Sequence, residues 1–434
     1  MALTGRVGLL ALLGAFVVGL VLPGWHGIAV VEGLLLAGVL ADVALAGSVR
    51  HLRFRRSGEV VVRLGESAEV TLTVENPGSR RVRGVLRDAW QPSAGNQQPR
   101  HPVDVPAGER RSLRALLHPT RRGDLSARRV TVRSVGPLGL AARQGSHTVP
   151  GVVRALPPFT ARKHLPAKLA QLRDLDGRTA LRVRGQGTEF DALRDYVVGD
   201  DVRSIDWRAT ARRSSVVVRT WRPERDRHIL LVLDTGRTSA GRVGPVNPAP
   251  RLDAAMDAAL LLAALASRAG DRVDLLAYDR RVRTGVQGMS QSGLLPAIVN
   301  AMATLEPDLV ELDGAGLAAT VLQRARRRSL VVLLTALDPA PLEEGLLPML
   351  PQLTKRHQVL LASVADPRIE AMARGRGDAE AVYGAAAAER ARGERRRITA
   401  TLTRSGVEVV DAAPADLPPL LADRYLALKA AGRL

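Results

Sequence analysis

From His228 onward the chain alternates short, unbroken apolar runs with longer stretches of helical period, and this alternation constrains the fold more than any other feature. The run His228-Ile229-Leu230-Leu231-Val232-Leu233 ends at Asp234. Continuous apolar runs also cover 330–334 and 358–364, further strands are read at 271–278 and 407–410, and a short edge strand at 281–286. Apolar runs of this length without polar alternation read as strands covered on both faces. Between them, 252–268, 294–305 and 316–326 read as helices, and a last helix covers 417–428. Strands alternating with helices require right-handed crossovers and give a doubly wound, mostly parallel α/β sheet over 228–434. Ligands of such sheets sit outside the carboxyl ends of the strands, where Asp234 falls. Aromatic residues make up only 3% of the chain, so its cores must be built from Ala, Val and Leu.

The amino-terminal end has a different character. Val7 to Leu22 is unbroken apolar sequence, and Ile28 to Val49 is mostly Leu, Ala, Val and Gly. A Pro-Gly-Trp-His-Gly turn joins them, with Trp25 suited to the headgroup region. Arg50, His51, Arg53, Arg55 and Arg56 follow, and such a basic flank marks the cytoplasmic side. Residues 1–56 are therefore expected to form a hairpin of two transmembrane helices, multi-pass in the inner (cytoplasmic) membrane, with the bulk of the chain cytoplasmic. Glu32 and Asp42 fall within the second segment, and an acid near mid-bilayer costs about 2.5–3.5 kcal/mol. Glu32 is expected near the outer interface. Asp42 lies deeper and is expected to face the partner helix or an oligomer contact.

Over 57–157 the period changes to two. Glu59 to Leu64, Ala68 to Glu75, Arg81 to Asp88, Glu109 to Leu117 and Arg128 to Val135 are candidate strands, separated by turns such as Asn76-Pro77-Gly78. Short antiparallel strands at this spacing predict a small all-β sandwich of immunoglobulin type, a spacer or docking module.

The segment 158–227 is the most distinctive. Within it, Glu189, Asp191, Asp195, Asp200, Asp201 and Asp206 mingle with Arg194, Arg203, Arg208, Arg212, Arg213 and Arg219, and with Tyr196, Trp207 and Trp221. Large rings amid guanidinium groups predict partly buried, stacked side chains in an ordered collar. The collar either docks a partner or joins the domains on each side of it.

Asp234-Thr235-Gly236-Arg237-Thr238 occupies the place where the von Willebrand factor A fold carries an Asp-x-Ser-x-Ser metal loop. A hard divalent cation such as Mg2+ or Mn2+ wants carboxylate, hydroxyl and water oxygens around it. Asp234, Thr238 and Asp338 are the remaining candidate ligands, with Ser290 or Ser292 as further hydroxyls. Gly236 and Ala336 stand where a hydroxyl and a carboxylate are needed. The expectation is a degenerate site, with Asp234 capping loop or helix amides.

Taken together, the chain resembles the bacterial domain-of-unknown-function family 58. The likeness is carried by Gly187-Thr188-Glu189-Phe190, Leu193-Arg194-Asp195-Tyr196, Gly199-Asp200-Asp201-Val202-Arg203, Ile205-Asp206-Trp207, Thr210-Ala211-Arg212, Val218-Arg219 and Glu224-Arg225. Tyr425, Leu428 and Lys429 match a closing Tyr-x-x-Leu-Lys pattern. The resemblance implies a membrane-tethered, non-enzymatic adaptor that works with a MoxR-type AAA+ ATPase in processes tied to the cell envelope. Its contact residues would be Glu189, Arg194, Tyr196, Asp200, Asp201, Arg203, Asp206, Trp207, Arg212, Arg219 and Glu224.

Two rival classes are weaker. No phosphate-cradling Gly-x-x-x-x-Gly-Lys loop, His-Glu-x-x-His or Gly-x-Ser-x-Gly occurs. Paired acids near Asp200 and Asp206 would suit a metal-dependent or carboxylate-based hydrolase, but the surrounding arginines hold them as ion-pair partners. The formal charge of +20 invites a nucleic-acid reading. No nucleic-acid partner is expected, because the one aromatic-rich basic stretch carries nearly as many acids. The absence of cysteine excludes disulfides and thiolate chemistry.

Overall fold

In the computed structural model, which describes residues 2–182, 189–198, 200–212, 215–222, 227–244 and 248–434, the chain divides into two units, Met1–Pro158 and Phe159–Leu434. The first begins with β1 (Ala2–Leu3), α1 (Gly5–Leu20) and α2 (Trp25–Leu45). With 21 residues at about 1.5 Å rise, α2 is long and apolar enough to cross a hydrocarbon core of roughly 30 Å. α1 has 16 residues and falls short. The expected pair of crossings, and the multi-pass topology built on it, is not supported.

Strands β2 (Arg53–Gly58), β3 (Val61–Arg63), β4 (Ala68–Glu75), β5 (Val82–Trp90), β6 (Arg100–Val105), β7 (Arg110–Leu117), β8 (Gly123–Val135) and β9 (Ala141–Leu156) complete this unit. They form a sheet β1-β9-β8-β5-β6, with β3 alongside β9, and a second sheet β2-β4-β7. Strict alternation along β4 turns Ala68, Val70, Leu72 and Val74 inward. Leu72 and Val74 share a core with Leu86, Val103, Val130 and Val132 of the other sheet.

Arg56 and Asp42 sit elsewhere than the sequence suggests. Arg53, Arg55 and Arg56 are not a free basic flank but part of β2, paired with β4. Every second side chain of a strand points the same way, and Arg56 lies buried against Asp88 in two bonds of 2.8 and 2.5 Å, with its guanidinium 5.0 Å from the Trp90 ring centre. Asp42 does not face α1 or another copy. It lies one turn from the end of α2, fully buried, and accepts 2.7 Å bonds from the backbone N–H groups of Leu138, Leu140 and Ala141. The turn comes so close that a Cβ on Gly136 would lie 2.1 Å from the Asp42 carboxylate. The other foot of the helical pair is held at the same place. Thr4 donates to the Gly139 carbonyl at 2.6 Å, and β1 pairs Ala2 with Ala142.

The second unit opens with α3 (Leu165–Arg182) and a two-stranded hairpin, β10 (Glu189–Asp195) and β11 (Val217–Arg222). Next come β12 (His228–Asp234), α4 (Arg251–Arg268), β13 (Arg272–Tyr278), β14 (Val282–Val286), α5 (Gln291–Ala303) and α6 (Gly314–Arg324). The chain closes with β15 (Leu330–Leu334), β16 (Gln358–Val364), α7 (Ala379–Arg404), β17 (Glu408–Ala412) and α8 (Leu417–Ala430). The sheet order is β14-β13-β12-β15-β16-β17, parallel except for the edge hairpin β13–β14. This is the doubly wound 3-2-1-4-5-6 order, whose direction reverses between β12 and β15.

At the amino edge of this sheet the closing pattern of the sequence does structural work. Asp271, just before β13, accepts from the Tyr425 hydroxyl at 2.5 Å and from Lys429 at 2.9 and 3.0 Å; Asp271 and Tyr425 are buried and Lys429 is half-buried. The pair fastens α8 to the sheet.

Lys429→Met leaves the Asp271 carboxylate without its cation and is expected to cost about 3–5 kcal/mol, read as a lower urea midpoint with an unchanged slope. Asp42→Ala orphans the buried amides of Leu140 and Ala141 and the part-buried amide of Leu138, and is expected to cost at least about 3 kcal/mol, since bonds to charged groups are worth about 1.5–3 kcal/mol each. Hydrogen exchange at Leu138, Leu140 and Ala141 then accelerates ahead of the rest of the unit.

Candidate functional site

The switch point of the second unit places Asp234, at the end of β12, beside Thr335, just past β15. The Asp234 carboxylate is buried and accepts from the Gly236 amide at 2.7 Å and from the hydroxyls of Thr238 and Thr335 at 3.1 and 2.5 Å. Burial pushes its carboxyl above the usual range, against the lowering by these three donors, and Asp279 adds to the rise. Asp279 is itself held by the Thr235 hydroxyl at 3.1 Å and by Arg283 at 3.1 Å.

A loop closes over this edge. Residue 308 donates its amide to the Thr235 carbonyl at 2.7 Å, Arg237 donates to Val310 at 2.8 Å, and Asp313 donates to Asp279 at 2.9 Å. A Cβ on Gly236 would stand 2.8 Å from the Val310 carbonyl, so the missing hydroxyl of the metal loop has a steric cause. Arg251, the first residue of α4, donates to the Thr238 carbonyl at 2.8 Å and reaches the half-exposed Asp338 at 3.5 Å. Ser290 and Ser292 lie 3.5 Å from each other at the start of α5.

These residues do not fit Mg2+ or Mn2+. Such ions need about six oxygens with free lone pairs. Here the Asp234 oxygens are engaged by three donors, position 336 is alanine, and the positive charge beside Thr238 and Asp338 is a guanidinium. Among the described residues no group of three or more His, Asp or Glu is arranged to hold a metal. Arg251 and the 308–313 loop escaped the sequence reading. Arg251 stands 13 positions past Thr238, and no spacing rule links them.

The second candidate is the charged hairpin. Arg194 pairs with Asp200 at 2.5 Å, and Asp200 also accepts from the Val197 amide at 3.0 Å. Asp201 accepts from the Arg203 amide at 3.0 Å. Asp206 caps the single helical turn Trp207–Thr210 through the amides of Arg208 and Ala209, and pairs with Arg219 at 2.8 Å. That guanidinium, then the Ala209 amide, hold the Asp206 carboxyl below its usual range. Tyr196 is half-buried and Arg212 exposed, and Glu189 opens β10 opposite Arg222. Glu224 lies outside the described residues. The expected burial of the aromatics fails at Trp207, which is 66% exposed because the capped turn aims it outward.

The model of the family described as a protein of unknown function, DUF58, matches residues 192–392. That segment is a DUF58 region. Its boundaries take in the hairpin from Ala192 onward, the Asp234 loop and most of the doubly wound sheet. Relatives from Mycobacterium bovis and Mycobacterium tuberculosis, described as uncharacterized proteins, are each 28% identical over 187 residues, 43% of this chain and 57% of theirs. The chain thus spans little more than half the length of the curated relatives it matches. Among solved structures, the VWA domain of SpRpn10 is similar at 13% identity, over 47% of this chain and 94% of that one, with a TM-score of 0.27. The CARDB domain of the PF1109 protein from Pyrococcus furiosus is similar at 20% identity, over 24% of this chain and 91% of that one, with a TM-score of 0.19.

Gly236→Ser is expected to create no magnesium site. Calorimetric titration stays flat while the Val310 clash costs about 1–3 kcal/mol. The raised Asp234 carboxyl means that the folded state holds its proton more tightly than the unfolded one. Stability therefore falls as pH rises from the ordinary value of 3.8 toward the folded value. Asp234→Asn is expected to flatten that fall in urea titrations run at successive pH values.

Proposed function

We propose that this DUF58 protein is a membrane-anchored adaptor, not an enzyme, and that it serves a MoxR-type AAA+ ATPase on the cytoplasmic face in an envelope-related or protein-maturation process. The observation that carries the reading is the Asp234–Thr335 bond. Small-molecule ligands of doubly wound sheets lie at the switch point, and in this chain that position is taken up by its own side chains, roofed by the 308–313 loop. A surface so closed suits gripping a protein better than turning over a metabolite. The von Willebrand A-like reading of the second unit and the immunoglobulin-like reading of the sandwich, as a spacer, belong to the same proposal. The ATPase partner rests on the family resemblance, and fold alone does not fix it.

Co-expression of the full chain with a MoxR-type ATPase from the same genome tests the proposal. The pair is expected to co-purify from detergent extracts, and the chain is expected to change the rate of ATP hydrolysis at least twofold. Failure to co-purify, together with turnover of a small compound by the chain that Asp234→Asn abolishes, would sink the adaptor reading.

A further inference from the structure

The charged hairpin uses its acids internally. Between Arg194 and Arg212 the sequence holds four aspartates and four arginines. Asp195 accepts from Ser215 at 2.8 Å, Asp200 is bound to Arg194, Asp201 caps a turn, and Asp206 is shared between a helix cap and Arg219. The guanidinium groups of Arg203 and Arg208 are exposed, and neither meets a carboxylate among the described residues. Between them stands Trp207. Val197, Val198 and Val202 add exposed apolar surface, at 61%, 94% and 61%. An open cleft of about 330 Å³ runs between Arg203, Ile205, Trp207, Arg208 and Arg219, and is lined too by Asp206, whose carboxylate is bound to Arg219.

We propose that this cleft docks an acidic segment of a partner protein. A Glu or Asp side chain of the partner pairs with the guanidinium forks of Arg203 and Arg208, and a neighbouring apolar side chain lies on the Trp207 ring. Arginine matches a carboxylate with two parallel bonds, and a Trp flanked by Arg is the composition of interface anchors. The charge arithmetic selects this occupant over a flat anionic surface. A bilayer or a nucleic-acid backbone senses the hairpin as a whole, where over 189–222 six acids nearly offset seven arginines. A directional side chain meets Arg203 and Arg208, the two guanidinium groups lining the cleft that have no carboxylate partner among the described residues. The proposal rests on the adaptor reading and assigns it a docking surface.

The full chain in phosphatidylcholine nanodiscs is titrated with a fluorescein-labelled octapeptide of alternating Glu and Leu, read by anisotropy. Saturable binding that weakens with salt is expected. The Arg203→Glu, Arg208→Glu double variant and Trp207→Ala are each expected to weaken it at least tenfold, while Arg404→Glu, on exposed α7, leaves it unchanged. All four positions are exposed, so an unaltered urea midpoint serves as the folding control. No binding, or equal affinity across the variants, overturns the proposal. Nanodiscs carrying brominated phosphatidylglycerol supply the other arm. Quenching that Trp207→Phe removes, without peptide binding, replaces the acidic segment by a lipid surface. If the ATPase co-purifies equally well with the charge-reversed double variant, the surface is wrong and the adaptor reading stands. If the peptide binds as expected and no ATPase is captured, the surface stands and the ATPase assignment falls.

Discussion

A buried carboxylate at the end of the first parallel strand organises the carboxyl edge of the second unit. Asp234 is costly to bury as a charge, and three donors from two loops offset only part of that cost, so its carboxyl stays above the usual range. Their arrival draws Thr335 and the Gly236 turn onto it. Once Gly236 is drawn in, Val310 can lie across it, and the loop that carries Val310 bonds to Thr235 and Arg237. Each contact presupposes the previous one. The crevice of this fold is closed by its own backbone.

The hairpin at 189–222 follows the opposite plan. Among its described residues only Val217 and Val218 are buried apolar side chains, and aspartates cap its turns and pair with arginines at close range. Such polar scaffolding leaves large side chains free to point outward. Trp207 on a capped turn is the clearest case. The same region thus closes one edge and leaves large side chains exposed at another.

Much of the second unit was legible in the sequence, because fully buried parallel strands announce themselves as unbroken apolar runs. All six strands and the helices at 251–268 and 417–430 lie within a few residues of the expected positions. The 26-residue helix at 379–404 was not foreseen. It buries little beyond Ala385, Ala388, Ile398 and Leu402, too few to mark a period. β9 was missed because Gly145, Pro150 and Gly151 read as turn residues. Arg56 and Asp42 were misplaced for a shared reason. A charge is read from sequence as seeking water or lipid headgroups, and only the fold reveals a buried partner such as Asp88 or three waiting amides. At the candidate site, Asp234 and Thr238 could be named in advance, but the guanidinium of Arg251 comes from a helix start that no motif connects to them.

The fastening at Asp42 bears on how the first unit would move. The helical pair is stapled to the sandwich at both feet, through Thr4 and β1 on one side and Asp42 on the other. A single flexible stalk would let its load swivel freely. Two clamps on the same turn remove that freedom, so any tilt or roll of α2 within a bilayer would pass to the β-sheets as torque.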